Sequence, residues 1–127
     1  YNYFPSKDML IATFMLEDWQ ECLARMADAP TDAEELLFHM YTALRDFADR
    51  HSALFRDADA AKVFVSAFTE KHKLLRTQLA EVVRPICHRD TAKDQAFLAE
   101  FIAESLLSWT MAGEDFARFS PVLLKLL

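Results

Sequence analysis

The sequence predicts an all-α protein, an antiparallel bundle of about six helices. Three observations lead there. A single glycine occurs in 127 residues, whereas sheet proteins draw on glycine for hairpins and bulges and helices are weakened by it. The strong helix formers Ala, Leu, Glu, Lys, Arg and Met are plentiful. Apolar residues recur every three or four positions, in segments opened by Ser, Thr or Asp and closed by Pro or Gly. At 53% hydrophobic and 27% charged residues, the chain has enough apolar side chains for one core and does not have a disordered composition.

The first helix is expected from about Pro5 or Ser6 to about Asp28. Asp8 lies in its first turn, where the helix dipole favours an anion, and Leu10, Ile11, Phe14, Met15, Trp19, Cys22, Leu23 and Met26 follow at helical spacing. Ala29-Pro30 ends it. Thr31-Asp32-Ala33-Glu34 reads as a capping box, opening a second helix to about Arg50 with Leu37, Met40, Tyr41, Leu44, Phe47 and Ala48 on one face. Residues 51–57 read as one short helical turn. A long helix is expected from about Asp59 to Arg84, with Phe64, Ala67, Phe68, Leu75, Leu79 and Val82 as its stripe, and Pro85 stops it. Asp90 or Thr91 caps the next helix, which runs to about Ala112 before Gly113, a residue suited to a left-handed helix end. In the last segment, Ser120-Pro121 reads as a helix start or a kink.

Composition also narrows function. The net charge is -6 and no basic residues cluster, so these residues alone are not expected to hold nucleic acid. Cys22 and Cys87 stand 65 positions apart without metal-type spacing, which reads as reduced thiols in a cytoplasmic protein. No apolar run approaches the ~18 residues of a membrane span. Glu35 and His39 fit a solvated i,i+4 pair, no Glu-x-x-His pair of the di-iron type occurs, and Cys87-His88 lacks further ligands. No catalytic residue, metal or cofactor is expected.

The segment from Ala92 to Gly113 is apolar on several sides. Ala96, Ala99, Ala103, Leu106 and Thr110 form a stripe of mostly small residues that lets another helix approach closely. Together with Phe119 and Leu123, they are expected to form a homodimer interface. The alternative is the central core helix of a monomer.

The opening residues Tyr1-Asn2-Tyr3-Phe4-Pro5-Ser6-Lys7 resemble the stretch Tyr-x-(His/Tyr)-Phe-x-x-Lys that closes the recognition helix in the tetracycline-repressor (TetR) family of bacterial transcription regulators. Leu10 matches the apolar residue that follows it, and the remaining helices resemble the family's C-terminal domain in order and length. The resemblance implies that residues 1–5 are a remnant of a helix-turn-helix domain and that 6–127 form the effector-binding and dimerisation domain. The last two helices would then join a dimeric four-helix bundle. Tyr1, Tyr3 and Lys7 would touch DNA phosphates in the intact protein, and operator DNA would be read by the missing N-terminal part. The resemblance also implies an effector cavity between the first helix and the Ala92–Ala112 helix. Its expected walls are Met15, Trp19, Met40, Tyr41, Phe64, Phe68, His72, Phe101, Ser105 and Trp109, and they would hold a hydrophobic or aromatic small molecule whose binding releases DNA. The rival expectation is a helical adaptor that takes a partner helix into a groove.

Overall fold

Five side-chain oxygens set the five helix starts. The computed structural model describes residues 6–28, 30–52 and 56–127, and its helices are α1 (Lys7–Arg25), α2 (Ala33–Arg50), α3 (Ala58–Val83), α4 (Ala92–Met111) and α5 (Phe116–Leu126), with a 3₁₀ turn at Arg84–Ile86 between α3 and α4. Ser6 accepts from the Met9 amide, Asp32 from Glu35, Asp57 from Asp59 and Ala60, Thr91 from Asp94, and Asp115 from Ala117. Each cap satisfies amides that the first helical turn leaves without partners.

The all-α reading holds, with two shifts in detail. Asp32 caps α2, one residue later than the capping box at Thr31 implies, because its carboxylate reaches the Glu35 amide at 3.1 Å. Asp115 opens α5 ahead of Ser120-Pro121, so Pro121 lies inside the helix. The expected turn at 51–57 falls partly on residues 53–55, which lie outside the described residues, as do Ala29 and the whole 1–5 remnant with Tyr1 and Tyr3.

Gly113 ends α4 as the sequence requires. Its φ of 83° lets its amide bond the Thr110 carbonyl and the Glu114 amide bond the Trp109 carbonyl, both at 3.0 Å. This double closure turns the chain into α5 and satisfies the last carbonyls of α4. At the end of α1, His39 Nε2 donates to the Arg25 carbonyl at 2.6 Å.

α4 packs most extensively on α3 and also meets α2 and α5, while α1 packs on α3 and α2. The core draws Ile11, Met15, Trp19 and Cys22 from α1, and Leu37, Met40, Leu44 and Phe47 from α2. Phe64, Leu75, Leu79 and Val83 of α3, Ile102, Leu106 and Leu107 of α4, and Phe116, Phe119 and Leu123 of α5 add to it. Leu10 and Phe14, expected on the apolar face of α1, are exposed instead.

The stripe assigned to a subunit interface is turned inward. Ala99, Ala103, Leu106 and Thr110 are all buried within the subunit, as are Phe119 and Leu123, while Ala96 is half-buried. Small side chains do permit close helix approach here, but to the chain's own helices, and a fully buried residue has no surface to offer a second copy. Ala103→Leu adds three carbons to a site with no exposed surface and is expected to cost about 1–3 kcal/mol through overpacking, read as a lower urea midpoint.

Candidate binding site between the last two helices

α4 has a second face. Phe101, Ser105 and Trp109 follow one another at four-residue steps, placing them on one ridge of the helix. Across from them, Arg118, Phe119, Val122, Leu123 and Leu126 of α5 recur at three- and four-residue steps. With Glu114 of the connecting turn, these residues line a groove of about 340 Å³. The size lies in the range of small-ligand sites.

The groove is apolar and open. Phe101 and Trp109 are each 49% exposed and Val122 is 60% exposed, while Phe97, one turn before Phe101 with its ring tilted to it at a separation of 6.5 Å, is 67% exposed. Large side chains contiguous on one surface mark an interaction site, whereas scattered ones do not. Its polar groups are few. Ser105 Oγ donates to the Phe101 carbonyl at 2.9 Å, leaving its lone pairs for a donor. Arg118 pairs with Glu114 at 3.1 Å.

Of the ten residues expected around an effector, Phe101, Ser105 and Trp109 line this groove, as do Phe119 and Leu123 from the expected interface. The other seven lie elsewhere. Met15, Trp19, Met40 and Phe64 are side chains of the packed core. Trp19 is held on both its polar and apolar sides: its indole nitrogen donates to Gln78 Oε1 at 2.8 Å, and its ring meets Phe47 edge-on at 5.4 Å. Tyr41 sits among Phe38, Phe116 and Phe119, with its hydroxyl 3.5 Å from the Glu114 carbonyl. Phe68 lies between Phe64 and His72 in a row of rings. Met15 and Trp19 do not reach the groove because α1 packs against α2 and α3 and is not a main neighbour of α4, while Met40, Tyr41, Phe64, Phe68 and His72 belong to α2 and α3, which meet α4 outside the groove's lining.

His72 is engaged by a residue the sequence did not suggest. Its Nε2 donates to both carboxylate oxygens of Glu104, at 2.9 and 2.7 Å. Ser108 Oγ donates to Glu104 as well, and Arg76 lies 3.8 Å away. Burial pushes the Glu104 carboxyl up, but hydrogen bonds from His72 and Ser108 and the charges of His72 and Arg76 outweigh this and hold it below the ordinary value. Thirty-two residues separate the two partners, so no local spacing pointed to the pair. The buried Nε of Arg76 makes no hydrogen bond.

The cysteines offer no nucleophile. Burial raises the Cys22 thiol to about 12, with Arg25 and Arg50 opposing only in part, and burial also raises Cys87. Both are protonated at neutral pH and shielded from reagents. Among the described residues no three His, Cys, Asp or Glu side chains come together as metal ligands, and no helix is long and apolar enough to cross a membrane. Lys7, expected at DNA phosphates, is exposed and paired with Asp57 at 3.2 Å. No family model, curated protein or solved structure matches this chain significantly.

Proposed function

We propose that this chain is the effector-binding and dimerising part of a TetR-like transcription regulator, a cytoplasmic homodimer without catalytic activity. The exposed apolar face formed by Phe97, Phe101, Trp109 and Val122 on the last two helices carries this reading. A second copy laid on that face by a two-fold axis buries it and completes a four-helix arrangement. The resemblance of Tyr1 to Lys7 supplies the other half: α1 would continue from a DNA reader, and effector binding would favour one disposition of two such readers over the other. Coupling of this kind requires different effector affinities for the two dispositions, and half-site spacing on DNA fixes which one binds.

Sedimentation of the chain over a concentration series tests the dimer, and selection from random duplexes by a chain extended upstream of Tyr1 tests the reader. Val122→Asp is expected to convert a dimer to a monomer while leaving unfolding stability at low concentration within about 0.5 kcal/mol, because an exposed position contributes little to the fold. A chain that stays monomeric at every concentration would sink this reading.

A further inference from the structure

The outer face of α4 changes size along its length. Phe97, Phe101, Ser105, Ser108 and Ala112 follow one another at three- and four-residue steps and so share one side of the helix. Ser105 is half-buried and the other four are exposed. One half of this ridge carries two rings, and the other carries nothing larger than a serine. From Phe97 to Ala112 the helix advances roughly 22 Å, with Ser105 beside the midpoint.

The small half can be covered by apolar groups without leaving a donor unmet. Ser105 Oγ donates to the Phe101 carbonyl at 2.9 Å, and Ser108 Oγ donates to Glu104 Oε1 at 2.9 Å. Glu104 is in turn held toward α3 by His72, at 2.7 Å. A ring laid on either serine therefore strands no hydroxyl proton.

The ridge is its own complement in one orientation. A two-fold axis passing beside Ser105 runs the second α4 antiparallel to the first. It sets each Phe97 over the partner's Ala112 and each Phe101 over the partner's Ser108. A parallel pair would stack ring on ring at one end and hold the small halves apart at the other, losing the contacts of a packed seam. We infer that the second copy docks antiparallel on α4, with the axis beside Ser105 and the two phenylalanines of each copy seated on Ser108 and Ala112 of the other. This rests on the homodimer of the regulator reading and adds to it the register, which groups meet and how the two subunits are oriented.

Introduced cysteines read that register, because Cys22 and Cys87 are both buried. Ser105→Cys, Phe97→Cys and Ala112→Cys are oxidised singly, and the last two also as a mixture, with bridges counted by non-reducing electrophoresis and sedimentation run in parallel. Ser105→Cys is expected to link to itself across the axis. Phe97→Cys and Ala112→Cys are expected to link to each other and neither to itself. A disulfide needs Cα atoms within about 7 Å, whereas the two copies of Phe97 would lie roughly 22 Å apart along the helix. Phe101→Ser and Ser108→Phe should each weaken the dimer about tenfold, and their combination should recover most of the loss, because it restores the pair with its members exchanged. Phe97→Cys linked to itself, or a double variant no tighter than the single ones, overturns the antiparallel register and leaves the dimeric regulator standing. A dimer in which none of the three cysteine variants links places the interface off α4 and likewise overturns the inference alone. A chain monomeric at every concentration overturns the inference and the dimer together.

Discussion

Trp19→Ala is expected to destabilise the fold by about 3–5 kcal/mol, the range for emptying a buried aromatic site. Trp19 is the largest side chain with no exposed surface. Its ring meets Phe47 edge-on, and its N–H donates to Gln78 across the α1–α3 contact. Alanine removes the packing, the edge contact and the donor together, leaving the Gln78 oxygen without its partner. Since domains of this size hold only about 5–15 kcal/mol of stability, such a loss should lower the melting temperature by more than about 10 °C. Trp19→Phe separates the contributions: it keeps most of the packing and is expected to cost about 1–2 kcal/mol for the lost hydrogen bond and residual void. Urea denaturation followed by far-ultraviolet circular dichroism measures both. A loss under about 1 kcal/mol for Trp19→Ala would mean that the indole fills a replaceable space, as a wall of an effector cavity does, rather than a packed core.

What the sequence made legible, and what it hid, follows from the range over which each signal acts. Ser6, Thr91 and Gly113 act within four residues of themselves, so the starts of α1 and α4 and the α4 end were readable from local chemistry, whereas Asp115 opens α5 ahead of the Ser120-Pro121 pair. Periodicity found most of the buried residues of α1 and α2 for the same reason, although Leu10 and Phe14 recur at the same spacing and lie exposed. It could not say which of several apolar faces on α4 turns inward, because Ala99-Ala103-Leu106 and Phe97-Phe101 recur equally well. The choice lies with α3 and α2, which cover the small-residue face and leave the rings outside. The candidate site was therefore half legible: Phe101, Ser105 and Trp109 share one ridge, while Arg118 and Val122 become its neighbours only when α5 folds back through Gly113. Glu104 and His72 show the same limit across 32 residues.

Acidification should weaken the fold through His51. This imidazole ends α2, is only 4% exposed, and lies between the rings of Phe47 and Phe64 at 5.1 and 4.6 Å. Its Nε2 stands 2.9 Å from Asp18 Oδ2, close enough to attract but misaligned, so that the buried nitrogen makes no hydrogen bond. Burial pushes its pKa below the ordinary 6.5, the Asp18 charge and contact oppose this, and the charge of Arg50 adds to it, with burial prevailing. The unfolded chain therefore binds a proton more readily than the folded one. Stability from this residue is complete above about pH 6.5 and falls as pH descends from there toward the folded value, with a slope of at most about 1.4 kcal/mol per pH unit for one proton. Glu104, held below its ordinary 4.5, acts at lower pH: its contribution is present above 4.5 and lost as pH falls through its folded value. The interval between 4.5 and 6.5 thus isolates the histidine from that carboxylate. His51→Phe keeps a ring between Phe47 and Phe64 and removes the titration, so its urea midpoint should vary less with pH across that interval than the wild-type midpoint. Parallel pH profiles for the two proteins would show that the buried ring relaxes toward Asp18 on protonation and that the aromatic enclosure does not resist the charge.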